Sequence, residues 1–336
     1  MVFQYLINNK RCWGYEPNCD RSNSYSFQKI KCLETDYWNP GTSESVLDIY
    51  KKQGDFEKLK EILNTIKPIC SSNSAEGSFL ECSDHLRFCR ARNIYFNLEN
   101  LNAQTSKRYR NDVIREGEVG GKCDLKFDRK LLLSRLDEKS YLQSWAHELE
   151  NFVSYSGFRI DKEHCDVIFE NPTVLIKLDA SVSMYHHFCD FINLYASQHV
   201  NGSIDMNIDI MWWDTWLGGF VDSLFGETWK AFTINKPYEL INFDKKTVCF
   251  RNVMFSMLAR QRFGLYYNIP LVDGCRGSGL FHAFSQHILN RLSIRQHGPI
   301  LDKVRVTLLS RSTPFRRITN EDEVSFAFFY IFVVYF

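Results

Sequence analysis

The stretch SVSMYHHFCDFINLY, residues 181–195, places side chains that can do chemistry inside an apolar, aromatic-rich run. On a helix, His186, Asp190 and Asn193 would lie near one face, because they are spaced by four and three residues. His187 would point about 100° away. A histidine with a carboxylate four residues on can be an oriented general base, half of a metal site or a plain structural pair. These residues alone leave all three interpretations open.

Cys189, in the same stretch, could be a nucleophile, a disulfide partner or an inert buried thiol. An oxidising compartment would favour the last two. The metal interpretation is the weakest for His186 and Asp190, because no second cluster of ligands stands out. The sequence also lacks an Asp-x-Asp of the kind that holds a divalent cation under a nucleotide diphosphate. We therefore predict no metal site.

A second group of candidate residues lies in LLSRSTPFRRITNEDEV, residues 308–324. Arg311 stands where a predicted strand ends, and open α/β sheets bind ligands outside the carboxyl ends of their strands. Arg311, Arg316 and Arg317 could clamp a diphosphate through their forked guanidinium donors. The alternative is an ordinary basic loop before an acidic helix N-terminus. The residues that would open that helix are Asn320, Glu321 and Glu323.

The composition is that of a soluble globular protein. The chain has 336 residues, room for two domains, with 44% hydrophobic and 24% charged residues. Its net charge of +1 provides no strong field to recruit nucleic acid or an anionic membrane, so we predict neither as a partner. The sequence contains no Gly-rich phosphate loop, no paired Cys-x-x-Cys zinc knuckle and no internal repeat.

The cysteines predict an oxidising compartment. Of 11 cysteines, eight fall in the first half at wide, irregular spacings that suit disulfides better than a zinc cluster. Reduced thiols in a cytosolic enzyme are the alternative. Asn-Gly-Ser at Asn201 is a glycosylation acceptor pattern and points to the same compartment. The eight are Cys12, Cys19, Cys32, Cys70, Cys82, Cys89, Cys123 and Cys165.

Periodicity predicts a helical N-terminal part and an α/β C-terminal part. Residues 42–66 have an amphipathic helical pattern, capped by Ser43 and divided near Gly54, and residues 140–153 predict another helix. After residue 156, strand-like runs (CDVIFE, TVLIKLD, MNIDIMWWD, KTVCFRNVMF, KVRVTLLSR) alternate with helical runs. This alternation predicts an α/β fold with a largely parallel sheet from about residue 160.

Both ends of the sequence are unusual. MVFQYLINNKRC is apolar for too few residues to be a signal peptide. VSFAFFYIFVVYF, residues 324–336, is apolar throughout but shorter than the roughly 17–25 residues of a spanning helix. We interpret it as an abnormal terminus, such as the product of alternative splicing or a truncated gene model, and predict no membrane span.

Several motifs together resemble one family. LDASVSMYHHFCDFINLY, GETWKAFT, GLFHAFSQHILNRL and SRSTPFRRITNEDEV, preceded by CWGYEPNC and LQSWAHEL, occur in the order and spacing of the EGF domain-specific O-linked N-acetylglucosamine transferases of the endoplasmic reticulum. The resemblance runs from about residue 11 to Val324. More distant relatives keep only the His-x-Phe-x-Asp core, here His186, Phe188 and Asp190, and the Arg…Arg…Asn-Glu-x-Glu pattern from Arg311 to Glu323.

The resemblance implies transfer of N-acetylglucosamine from UDP-N-acetylglucosamine to Ser or Thr of folded EGF repeats in the lumen of the endoplasmic reticulum. An α-linked donor and a β-linked product imply inversion, which needs a base and groups that hold the departing UDP. His186 and Asp190 would be base and orienting carboxylate, in either order. The residues assigned to the donor are Arg311, Arg316, Asn320 and Glu323.

The family fold implied is two facing Rossmann-like domains (GT-B-like), without a metal or other cofactor. We therefore expect a Cys-rich region over 1–156, a Rossmann-like acceptor-side domain over 157–300, the start of the donor domain over 301–324 and the abnormal terminus over 325–336. The resemblance stops at Val324, so most of the donor domain, its His-Gly-Ala-Gly-Leu motif and a C-terminal retention signal are expected to be missing.

Two local departures from the family pattern also stand out. Ile234, Asn235 and Lys236 replace an acidic Asp-Tyr-Asp, and Ser183 replaces an Asn. Two rival functions follow from the same residues. One is a catalytically dead fragment that at most binds EGF-type acceptors, and the other is a zinc hydrolase built on His186 and Asp190.

Overall fold

The computed structural model describes most of the chain between residues 45 and 295 and short stretches outside it. The chain divides into two compact units, one within Leu6–Ile294 and one that includes Arg295–Phe336. The described residues are 31–32, 45–102, 114–126, 142–179, 183–213, 225–260, 265, 275–276, 278–295, 308, 310 and 317–326.

The larger unit is built on one mixed sheet to which eleven strands of the described residues belong. Two further short strands, β1 (Lys31–Cys32) and β13 (Cys275–Arg276), pair with each other. The eleven are β2 (Lys67–Ser71), β3 (Phe79–Cys82), β4 (Cys89–Asn97), β5 (Val119–Gly121), β6 (Asp124–Leu125), β7 (Phe152–Ser154), β8 (Val167–Phe169), β9 (Thr173–Ile176), β10 (Asp209–Trp212), β11 (Tyr238–Glu239) and β12 (Thr247–Phe255).

The sheet has a parallel and an antiparallel part that meet at β12. Strand β12 pairs with β8 and β9 in parallel, and β9, β10 and β11 continue the parallel order. On its other side β12 pairs antiparallel with β4, which leads to β3 and β2. The predicted α/β class and the parallel strands after residue 160 are confirmed. Strands from before residue 156 join the same sheet.

The helical pattern near the N-terminus forms two helices, α1 (Val46–Gly54) and α2 (Phe56–Thr65). The predicted division is confirmed, since Asp55 lies between them and its side chain accepts a hydrogen bond from the backbone N–H of Phe56. The predicted cap was wrong: the N-cap of α1 is Ser45, which accepts from the N–H of Asp48.

The helix predicted over 140–153 is mostly absent. Only α3 (Ala146–Leu149) forms, and the chain then enters β7, because Phe152–Ser154 pairs with β5 in parallel. The four side chains predicted to be buried there are buried. The apolar pattern therefore identified the buried residues correctly, although the predicted helix was wrong. These side chains are Leu142, Trp145, Leu149 and Phe152.

The helices of the α/β part follow the predicted positions. Helix α4 (Met184–Asn201) connects β9 to the parallel β10, and α5 is Gly279–Arg291. The helical run near residue 228 forms a 3₁₀ segment, Gly226–Ala231. The strand predicted from KVRVTLLSR lies almost wholly outside the described residues. None of the helices in the described ranges is long and apolar enough to cross a membrane.

Successive side chains of the buried strands point to opposite faces and supply two cores. In β9, Leu175 joins one core with Trp145, Trp213 and Phe255, while Val174 and Ile176 join the other. The second core includes the buried face of α4, whose side chains Phe191, Ile192, Leu194 and Tyr195 are at most 1% exposed. Because both faces of β9 are covered, its position and that of the residues after it are fixed by packing.

Four disulfides tie the described parts of the larger unit together, so the prediction of several bridges from the N-terminal cysteines is confirmed. The buried Cys189 is a free thiol. Cys12 and Cys19 lie outside the described residues. The bridges are Cys32–Cys275, Cys70–Cys123, Cys82–Cys89 and Cys165–Cys249.

Candidate active site

The candidate site lies at the carboxyl edge of the parallel part of the sheet. Strands β9 and β12 are parallel neighbours, so their carboxyl ends lie at the same edge. Asp179 follows β9 by three residues, and Arg260 follows β12 by five. The crevice outside the carboxyl ends of parallel strands is the place where open α/β sheets bind ligands.

A buried carboxylate is the centre of this site. Oδ2 of Asp179 lies 2.6 Å from Nδ1 of His186, and Oδ1 lies 2.6 Å from Nε of Arg260. The Asp179 side chain is only 2% exposed, whereas those of His186 and Arg260 are 26% and 40% exposed. A buried carboxylate is thus paired with two groups that reach the surface.

Asp190 holds the backbone of this site. Its Oδ2 accepts a hydrogen bond of 2.9 Å from the N–H of Asp179, and the residue is 4% exposed. The family resemblance predicted His186 and Asp190 as base and orienting carboxylate, in either order. In the structure the carboxylate bonded to the His186 ring is Asp179, and Asp190 fixes the loop that presents Asp179.

The geometry determines what the His186 ring can do. In the neutral tautomer whose Nδ1–H donates to Asp179, Nε2 is the ring nitrogen that carries the lone pair. If Nε2 takes a proton, the Asp179 carboxylate stabilises the resulting imidazolium. Such an arrangement can serve as a general base with an orienting carboxylate.

A buried ion pair supports the segment that carries Asp179. Lys177, directly after β9, donates from Nζ to Oε2 of Glu148 at 2.8 Å and to the carbonyl of Ser144 at 3.2 Å. Glu148 also accepts from Nε1 of Trp213 at 3.2 Å. Burial lowers the pKa of Lys177, and the charge of Glu148 opposes that shift. The pair holds the chain between β9 and α4 against the opposite core.

Two other polar side chains of residues 181–195, those of His187 and Asn193, have structural roles. His187 is fully buried, and its Nε2 lies 2.9 Å from Oγ1 of Thr228. The amide nitrogen of Asn193 donates to the carbonyl of Cys189 at 2.8 Å. Burial raises the pKa of the Cys189 thiol to about 11. Since the thiolate is the nucleophile, this shift argues against nucleophilic chemistry at Cys189.

The predicted donor residues belong to the smaller unit. Arg311 and Arg316 lie outside the described residues. Asn320 and Glu323 are described: Nδ2 of Asn320 donates to Oε2 of Glu323 at 3.1 Å, at the start of a helix over 321–326, and both are exposed. The structure brings these two together. In the larger unit, the carboxylate that it brings to the ring of His186 is that of Asp179.

Sequence reasoning missed Asp179, Arg260 and the Lys177–Glu148 pair. Asp179 carried a signal, since a carboxylate directly after a buried strand stands at the edge where ligands bind. Arg260 and Glu148 are distant from Asp179 and Lys177 in sequence. Their contacts arise from strand pairing and packing, which a single sequence does not display.

One partly exposed group in the described ranges has the composition of a metal site: Asp161, Glu163 and His164. Local hydrogen bonds account for it. Oδ1 of Asp161 accepts from the backbone N–H groups of Glu163 and His164, each at 3.0 Å, and contacts Nδ1 of His164 at 2.7 Å. This is an Asx turn closed by a histidine.

Comparison with curated proteins finds relatives along almost the whole chain. An "EGF domain-specific O-linked N-acetylglucosamine transferase" of Gallus gallus is 44% identical over 324 residues, which is 96% of this chain and 59% of that protein. Proteins of the same name from Canis lupus familiaris and Drosophila melanogaster are 45% and 39% identical, over 96% and 93% of this chain.

The chain spans about 60% of the length of these curated relatives. A scan against protein-family models finds no match. The relatives, from birds, mammals, amphibians and insects, all carry the same name. Over almost its whole length the chain is similar in sequence to EGF domain-specific O-linked N-acetylglucosamine transferases.

Proposed function

We propose that this chain forms the acceptor-side part of an enzyme that transfers N-acetylglucosamine from UDP-N-acetylglucosamine to Ser or Thr of folded EGF repeats. The observation that carries the proposal is the His186–Asp179 pair at the carboxyl edge of β9, within a segment 39–45% identical to transferases of that name. The four disulfides suit the lumen of the endoplasmic reticulum as the site of action.

The chemistry proposed is a single displacement with inversion. The acceptor hydroxyl oxygen attacks the anomeric carbon, the bond from that carbon to the diphosphate oxygen breaks, and UDP departs with the bonding electrons. Nε2 of His186 takes the hydroxyl proton. The proton on Nδ1 stays on the ring and remains hydrogen-bonded to Asp179. Arg260 fixes the other oxygen of Asp179, and Asp190 fixes its backbone, so the base is held in one orientation.

The donor side of the proposal rests on Arg311, Arg316, Asn320 and Glu323 in a second Rossmann-like domain that faces the first, as in GT-B-like enzymes. Guanidinium groups bind diphosphate oxygens through paired N–H donors, and they can stabilise the charge on departing UDP in place of a divalent cation. No metal or other cofactor is part of this mechanism.

Arg311 provides a test of the donor side in a longer protein, in which the remaining part of the chicken relative continues this segment. We expect Arg311→Ala to lower kcat/KM for UDP-N-acetylglucosamine by about 2–4 kcal/mol in transition-state terms. Arg311→Lys should rescue only part of that loss, because a point charge cannot reproduce the fork. Unchanged kinetics in a folded Arg311→Ala variant would contradict the assignment.

We further propose that the 336-residue segment alone does not turn over, because binding and leaving-group stabilisation need donor contacts from the rest of the protein. The alternative function is acceptor binding without catalysis. The test incubates the segment and the longer protein with labelled UDP-N-acetylglucosamine and a folded EGF repeat. If the longer protein transfers the sugar and the segment alone does not, the result supports the proposal. Comparable turnover by the segment would place the donor site within it, and no transfer by either protein would refute the function.

A further inference from the structure

A second cleft lies on the sheet far from the candidate active site. It has a volume of about 740 Å³. It lies beside the C-terminal end of helix α4, over residues of β3, β4, β9 and β12. Gln198 and Asn201, in the last turn of α4, line it, whereas His186 is in the first turn. Twelve residues of helix separate His186 from Gln198, so the cleft is about 18 Å away.

The cleft has an apolar floor and a polar wall. Val174, Ile208 and Met254 form part of the floor, and all three are buried. The wall contains a cross-strand row in which Arg92 pairs with Phe79 on one side and Asn252 on the other. Arg92 and Asn252 are exposed, and neither side chain has a hydrogen bond within the described part of the chain.

Asn201 stands at the rim of this cleft and begins the sequence Asn-Gly-Ser. Its carbonyl accepts a hydrogen bond of 3.4 Å from Nη1 of Arg90, which fixes it beside the polar wall. Gly202 then turns the chain out of the helix with φ 73°, a left-handed conformation, and Ser203 is exposed at the same rim. The Asn201 amide has no hydrogen-bond partner among the described residues.

We propose that Asn201 carries an N-linked glycan whose first sugars lie in this cleft. The donor would be a lipid-diphosphate-linked oligosaccharide of the secretory pathway. Nδ2 of Asn201 forms a bond to the anomeric carbon of the first sugar and loses a proton. The bond from that carbon to the diphosphate breaks, and the lipid diphosphate leaves.

Each feature of the site matches such an occupant. Ser203 completes the acceptor pattern, and the disulfides suit the oxidising compartment in which this modification occurs. Arg92 and Asn252 offer donors to sugar hydroxyl and acetamido oxygens, and the half-buried Phe79 offers a ring to the apolar side of a sugar. The volume is within the roughly 300–1,000 Å³ of small-molecule sites. The proposal is independent of the transfer activity.

The first test is the mass of the intact chain, secreted from cultured eukaryotic cells, before and after treatment with an N-glycanase. We expect a glycan on Asn201 that is absent from Ser203→Ala, which leaves Asn201 in place, and retained in Ser203→Thr. A disulfide-bonded secreted chain with unmodified Asn201 would overturn the site.

The second test asks whether the sugars occupy the cleft. N-glycanase should release the glycan from the native protein at least tenfold more slowly than from the denatured protein. Arg92→Ala should raise the native rate severalfold. The control is Arg251→Ala, on a neighbouring residue of β12 that pairs with Glu170 and does not line the cleft. Equal native rates for the wild type and both variants would show that the glycan is attached but does not bind the cleft.

Discussion

At the scale of single residues, Asp179 is the centre of the candidate site. It contacts the ring of His186 and the guanidinium of Arg260, and its own N–H is held by Asp190. Two carboxylates therefore have different tasks. Asp179 acts on the ring through its charge, and Asp190 acts on the backbone through a hydrogen bond.

These different tasks predict which of two substitutions lowers kcat/KM more in the longer protein, in which the remaining part of the chicken relative continues this segment. Asp179→Asn should lower kcat/KM by about 10²–10⁴-fold, because the amide no longer stabilises the imidazolium. Asp190→Asn should cost less than about tenfold, because an amide oxygen can still accept the N–H. Asp166→Asn, at an exposed carboxylate that bonds the N–H of Thr247, is the control. Steady-state kinetics measure the ranking, and the reverse order would restore Asp190 as the orienting carboxylate.

A second residue, His287, makes stability depend on pH. Burial, together with the nearby charge of Arg291, lowers its pKa to about 3. The unfolded chain therefore binds a proton below about pH 6.5, while the folded chain does not until about pH 3, so stability falls as the pH falls between these values. From pH 7 to pH 5 this group should remove about 2 kcal/mol.

The test compares urea denaturation of the wild type and His287→Gln at both pH values. Gln can still donate to the carbonyl of Ala231, which His287 contacts through Nε2 at 2.9 Å, but it cannot titrate. We expect the difference in unfolding free energy between pH 7 and pH 5 to shrink by about 2 kcal/mol in the variant. If the difference is the same in the variant and the wild type, the folded protein takes up a proton at His287 between pH 7 and pH 5 as readily as the unfolded chain does.

At the scale of elements, short-range periodicity predicted α4, β9 and β12 well, because their apolar side chains recur with the period of the structure they form. It failed over 140–153, where pairing of β7 with β5, more than 30 residues away in sequence, overrides a helical pattern. The site was predicted in part for the same reason. His186 and Asp190 share one helix, whereas Asp179 and Arg260 meet because β9 and β12 pair.

The buried pair of Lys177 and Glu148 gives a prediction at this scale. Lys177→Met should lower the free energy of unfolding by about 3–5 kcal/mol, because it leaves Glu148 buried without its counter-charge. Lys177→Met combined with Glu148→Leu should cost less than the sum of the single changes. Lys230→Met, at a surface pair with Glu227, is the control and should change stability by no more than about 0.5 kcal/mol. Additive costs, measured by urea denaturation, would show that the pair is not coupled.

At the scale of the whole molecule, contacts between the two ends of the larger unit close its fold. Asp55 accepts hydrogen bonds from the N–H groups of Gly279 and Leu280, so one buried carboxylate joins the start of α2 to the start of α5. The disulfide Cys32–Cys275 spans a similar distance along the chain. The number of cysteines predicted bridges, but it could not predict this pairing, because eleven scattered cysteines allow many connectivities.

The Cys32–Cys275 bridge closes a loop with a sequence separation of 243, the longest of the four. In the chain-entropy model, such a bridge removes about 5 kcal/mol of conformational freedom from the unfolded state. The free energy of unfolding should therefore fall by about that amount in each of three variants, Cys32→Ala, Cys275→Ala and the double substitution. In the single variants, the remaining thiol is alkylated so that it cannot pair with another cysteine. Urea denaturation without reductant measures all three. If the double variant costs far more than either single one, packing of the two side chains, and not the covalent link, stabilises this part of the fold.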